Sequence, residues 1–297
     1  MTEFLNWLRR RSCRLTLGVL VLAFASAHAA PPAVDAIREY FNLLVSGNFE
    51  SASYMWTESA QERSSRFGIV FDDIPVKADA LSPIVRNLPV MRDHLQPPVK
   101  RHERLSGEDF VRLQYSAVVE GQLVTHDYYA IGQQDWYWLI YPQDYYSRDW
   151  PVMETKYFRI HYHPDQKKML NSVVLADADL MLARLAADLG LSSGQLRQIE
   201  QSKIEYFYCD SDETVERITG YRVKGTLDVA SNDIVSAFFP HYHELCHLLV
   251  NIRLQRLPLY TAPLLREKGW QCTSEDAGAR RRRCWWNWER FFTSRTF

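Results

Sequence analysis

The chain has 297 residues, 46% of them hydrophobic, and a formal net charge of −1. That is enough apolar material for one large or two ordinary domains with real cores. The near-neutral balance excludes the overall basic field that nucleic-acid binding requires, so no nucleic-acid partner is expected.

Basic residues gather instead at the two ends. Arg9, Arg10, Arg11 and Arg14 precede the apolar run Leu15 to Ala27, thirteen residues followed by "HAAPPA". A positive start, a short apolar segment and small residues before a proline pair read as an export signal over residues 1–30. The run falls short of the roughly 20 residues that a spanning helix needs. The expectation is an exported, periplasmic or secreted chain with no stable membrane span once the signal is removed; an uncleaved anchor is the alternative. Export permits disulfides, but Cys209 and Cys246 form no CxxC or zinc-ribbon pattern, and buried thiols are the default.

Residues 31–150 read as helices followed by a sheet. Ile37, Phe41, Leu44 and Val45 share a helical face, and Gly47-Asn48 supplies a stop. A second amphipathic stretch runs through Tyr54, Met55 and Trp56. Val111, Leu113, Tyr115, Ala117 and Val119 then alternate with more polar neighbours, opening a three-strand meander to which "VKRHERL" can add a fourth strand. His102, His126 and Asp127 read as ordinary sheet residues. The stretches "EYFNLLVSGNFESASYMW" and "DWYWLIYP" in this order resemble the nuclear-transport-factor-two-like domains, which implies a small α+β cone.

Residues 151–270 read as a second α+β domain. "KYFRIHYH" alternates as a strand, and a long helical stretch is expected from Pro164-Asp165 to Gly190, with Leu175, Leu180, Leu182, Leu185 and Leu189 on its apolar side. "KIEYFYC" is a strand, "DETVERITG" a short helix closed by Gly220, and "NDIVSAFF" a strand leading into "FFPHYHELCHLLVN".

That last stretch carries the chemistry. His243 and His247 stand one helical turn apart, so both imidazoles can reach one Zn²⁺. Glu244 stands beside the first of them, where it can take a proton from water. Leu245, Leu248, Leu249 and Ile252 give the segment a buried helical face. His241 lies on another side and Cys246 faces the core. A catalytic zinc takes three protein ligands. Glu267, on a helix that Pro263 can start, is the candidate third. The stretch Tyr157 to Gly269 resembles the gluzincin metallopeptidases, which use HExxH plus a distant Glu. The resemblance implies His243, His247 and Glu267 as zinc ligands, Glu244 as general base, and a peptide or protein substrate paired to an edge strand, placed here at "NDIVSAFF". Lys268 between Glu267 and Gly269 departs from that pattern. A zinc- or peptide-binding envelope protein without turnover is the alternative.

The tail, residues 271–297, has neither helical nor strand period. The bland reading of "RRRRCWWNW" is a basic, aromatic membrane or nucleic-acid contact; the favoured one is the product of a frame slip. Read one base out of frame with GC-rich codons, the text from Gly269 yields a glycine-rich turn and an apolar helix.

Overall fold

The structure, a computed structural model, describes residues 32–71, 74–88, 99–105, 109–119, 122–133 and 135–255. The expected export signal, Glu267 and the tail lie outside the described residues. The chain is α+β, as its patterns indicate, and its described residues form one antiparallel and one mixed sheet.

Helix α1 (Pro32–Ser46) buries Ile37, Tyr40, Phe41 and Leu44 along one stripe. Gly47 ends it at φ 77°, a left-handed conformation that costs glycine little. Short α2 (Phe49–Ser53) is capped by Asn48, and α3 (Glu58–Ser65) by Thr57. The second amphipathic stretch is therefore only a turn long: Tyr54 is exposed, while Met55 and Trp56 drop into the core. A 3₁₀ turn (Lys77–Asp79) and α4 (Pro83–Arg86) precede four antiparallel strands in sequence order. These are β1 (Val99–Arg104), β2 (Phe110–Val119), β3 (Gln122–Gln133) and β4 (Trp136–Ile140). Phe41 of α1 stacks on Tyr115 at 4.4 Å and meets Tyr128 edge-on at 5.7 Å, which fixes the helix to the sheet.

Helix α5 (Pro142–Tyr146) leads to the second sheet. Its strands are β5 (Val152–Glu154), β6 (Phe158–Tyr162), β7 (Ile204–Tyr208), β8 (Gly225–Asp228) and β9 (Asp233–Ser236), in spatial order β5-β6-β7-β9-β8. β6, β7 and β9 run parallel, and β5 and β8 close the edges antiparallel. β7 and β9 are buried at every position, as central parallel strands are. The "NDIVSAFF" strand is thus the inner strand β9, and the edge expected there belongs to β8. Gly225 and Asp228 rob β8 of a strand signature.

The long helix also starts later than its pattern suggests. Pro164–Met169 is a 3₁₀ turn, and Asn171 then caps α6 (Ser172–Asp188) by accepting the N–H groups of Val173 and Val174. Leu182 and Leu185 are buried, whereas Leu180, two residues and so about 200° from Leu182, is exposed. Helix α7 (Ser193–Ser202), opened by a Ser192–Gln195 capping box, has no counterpart in the sequence reading. Helix α8 (Asp212–Thr219) is closed by Gly220 as expected, and α9 (Tyr242–Leu254) follows β9.

The two sheets share their cores. Phe67 and Ile69 pack with Phe158, Ile160 and Leu248, while Ala230, from the β8–β9 turn, packs with α1 and the first sheet. Cys209 and Cys246 are thiols; burial pushes the Cys209 thiol up to about 12. No described helix is long and apolar enough to cross a membrane.

Candidate functional site

Helix α9 is set by both its ends and its buried face. Leu245, Leu248, Leu249 and Ile252 are all fully buried against the second sheet. Before it, the hydroxyl of Tyr206 on β7 donates to the Phe238 carbonyl and accepts the His241 N–H at 3.0 Å. An aromatic of the "KIEYFYC" strand therefore also fixes where the helix begins.

With that face committed to the core, His243 and His247 fall together on the helix flank. Their Nε2 atoms are 2.9 Å apart, and the rings stand at 83° with centroids 4.5 Å apart. Burial pushes the His247 imidazole down to about 4, helped by His243 and His241, and burial lowers His243 as well. Both are neutral at ordinary pH, the form that ligates metals. A hydrogen bond between them needs one ring to carry its proton on Nε2, a matter of tautomer. Two nitrogens on one tetrahedral zinc at 2.0–2.1 Å stand about 3.4 Å apart, so the rings need part by only about half an ångström. The pair fits a shared ion in identity, tautomer freedom and spacing.

Glu244 stands at the side of this pair. Its Oε1 is 3.8 Å from His243 Nε2, and its Oε2 accepts the Leu227 N–H of β8 at 2.8 Å. Burial pushes the carboxyl up to about 7 against that hydrogen bond. A carboxyl with a proton affinity near neutrality, one atom's reach from the donor pair, is suited to proton transfer.

Glu267, the candidate third ligand, lies outside the described residues. His241 serves the strand–helix junction: its Nδ1 is 2.9 Å from Ser236 Oγ, and its ring lies against Gly225, where a Cβ would come within 2.3 Å. Among the described residues, the three-donor group close enough to share an ion is His163, Asp165 and Asp210. There Nδ1 of His163 already accepts the Asp165 N–H at 3.4 Å, and the Asp165 side chain is 81% exposed. It is a solvated turn.

His126 and Asp127 are β3 residues, as expected. Asp127 accepts from Gln114 at 3.1 Å, and His126 packs edge-on to Tyr128. Asp79, which the sequence reading passed over, is fully enclosed beneath them. It accepts the hydroxyls of Tyr40 at 2.9 Å and Tyr128 at 2.8 Å. The Leu227 N–H was missed too, since a backbone group on an unrecognised strand has no sequence signature. No protein-family profile, curated protein or solved structure matches the chain.

Proposed function

We propose that the chain is an exported zinc-dependent metallopeptidase of the gluzincin type, with His243, His247 and Glu267 as ligands and Glu244 as general base. The observation that carries this reading is the convergence of two neutral Nε2 atoms at 2.9 Å with a near-neutral carboxyl beside them. Zinc held there would supply Lewis-acid polarisation of a scissile carbonyl and acidify water. Glu244 takes the proton of the attacking water and returns it to the leaving amine.

The substrate in this reading is an extended peptide laid along the outer edge of β8. Ala237 N donates to Lys224 O at 2.9 Å and Asn232 N to Asp228 O at 2.7 Å. Antiparallel alternation then turns the backbone groups of Gly225 and the carbonyl of Leu227 away from β9, the Leu227 N–H being taken by Glu244. Backbone pairing of this kind is indifferent to side-chain identity. The helix-plus-meander arrangement of the first unit supports its likeness to the nuclear-transport-factor-two-like domains, with a supporting rather than a catalytic part.

The test is metal analysis of purified full chain together with hydrolysis of a mixed peptide library. Stoichiometric zinc and chelator-sensitive cleavage are expected. Zinc without cleavage would favour a binding protein that does not turn over, and absence of bound metal after zinc loading would overturn the reading.

A further inference from the structure

The turn between β8 and β9, Asp228 to Asp233, is gripped by the N-terminal unit. Asp233 is fully buried, and its Oδ2 accepts from Arg63 Nη1 at 3.0 Å while Oδ1 accepts from Arg66 Nη2 at 2.9 Å. Arg63 also donates to Asp144 at 2.6 Å, joining α3 to α5. Gln143 Nε2 of α5 reaches Asp233 at 2.9 Å, and Asp228 and Ser231 at 3.2 Å. Asn232, left-handed at φ 63°, sends Nδ2 to the carbonyls of Arg63 at 3.0 Å and Ser64 at 3.2 Å. Ala230 sits in the core of the first unit. Buried polar groups need every partner in place, so this turn cannot shift against α3 without unmaking several bonds together.

β8 transmits that fixed position over one residue. Leu227 immediately precedes Asp228, and its outward N–H makes the 2.8 Å bond to Glu244 Oε2. Among the described residues it is the one hydrogen-bond donor on that carboxyl; His243 Nε2 stands farther off at 3.8 Å. The chain of contact thus runs from α3 and α5, through a locked turn, to the strand edge and the carboxyl.

We infer that the N-terminal unit sets the position of the Glu244 carboxylate by its grip on the Asp228–Asp233 turn, with Asn232 and Asp233 as positioning residues. The effect on turnover rests on the peptidase reading above, but the coupling is measurable without zinc or substrate. Asn232→Gly keeps the left-handed backbone and removes both side-chain bonds to α3 and the 3.4 Å contact from Lys77 Nζ, which keeps its bond to the Ser64 carbonyl; Asp233→Asn is the harsher variant. In the zinc-free full chain, hydrogen exchange at the Leu227 amide should quicken by about tenfold or more in Asn232→Gly. The Phe207 amide on β7 should be unchanged, and Asp35→Asn, which breaks an exposed pair with Arg38, should move neither. With zinc, kcat should fall by a similar factor at constant zinc content.

A lowered thermal midpoint with Leu227 exchange unchanged would overturn the inference and leave the turn as plain support. An unchanged kcat despite faster Leu227 exchange would overturn its catalytic half. Faster Leu227 exchange in a chain that takes up no zinc would sustain the coupling and sink the peptidase reading instead. If Asp233→Asn fails to fold, Asn232→Gly alone decides.

Discussion

Asp79 in the first unit and Glu244 on α9 are both carboxyls that burial pushes up to about 7. Their surroundings differ. Asp79 is 3% exposed and takes two phenol hydroxyls, from Tyr40 and Tyr128, each itself almost fully buried; His126 Nε2 lies 3.9 Å away. Glu244 takes one backbone N–H from β8, the outermost strand of the described sheet, and stands beside His243, whose side chain is 44% exposed. A raised proton affinity reports burial and is common to structural and catalytic acids. The second carboxyl differs in standing beside a pair of histidine nitrogens 2.9 Å apart, one of them on a partly exposed ring. The first is sealed by its own hydrogen-bond donors.

The largest effect that would test this contrast is on turnover. Glu244→Gln should retain zinc while peptide hydrolysis falls by at least about a thousandfold, within the range a positioned base supplies. Full residual hydrolysis at normal zinc content would remove Glu244 from that role and make the two carboxyls alike.

Asp79→Asn should do the reverse, changing stability and sparing chemistry. A carboxyl whose folded pKa lies above its ordinary value of 3.8 holds its proton more tightly in the folded state. Its contribution is complete below that value and is lost as pH rises through about 7. Asparagine has no proton to lose and can still accept from both phenols. Unfolding at pH 8 should therefore show the variant more stable than the parent by about 4 kcal/mol, with the gain vanishing near pH 4. Hydrolysis should not change. A loss of hydrolysis comparable to that of Glu244→Gln would make the Asp79 cluster part of the active machinery.

The sequence disclosed the elements whose signals are local. The Ile37–Phe41–Leu44 stripe, the β2 alternation and the HExxH helix all lie within a few residues, where side-chain period alone reports the backbone. What it concealed depends on distant pairing. That β9 is an inner strand follows from its parallel bonding to β7, 28 positions away at Tyr206–Ile234, and so the edge falls to a four-residue strand beginning with glycine. The Arg63–Asp233 pair spans 170 positions and the Tyr40–Asp79 bond 39, and no window of sequence brings them together. The step from one sheet to the other near residue 150 was legible as a change of pattern, yet the exchange of Phe67, Ile69 and Ala230 between cores was not, because burial against a foreign sheet leaves no local period.

A smaller effect probes how the open cluster is built. Gly225 pairs with Ser236 in the β8–β9 ladder, and a methyl group there would lie 2.3 Å from His241 Nδ1 and 2.6 Å from Ser236 Oγ. Gly225→Ala must therefore push the imidazole off the strand and break the 2.9 Å Ser236–His241 bond. Overpacking of this kind costs about 1–3 kcal/mol, read as a lower thermal midpoint. Zinc content should survive, because His243 and His247 are carried by the helix and not by the junction that moves. The Asp79 cluster should not respond, so the pH 8 gain from Asp79→Asn should be the same in the Gly225→Ala background. Loss of zinc on Gly225→Ala would instead make His241 a third imidazole of the metal set. The open cluster would then be completed by the residue just ahead of the helix, and Glu267 would no longer be needed to close it.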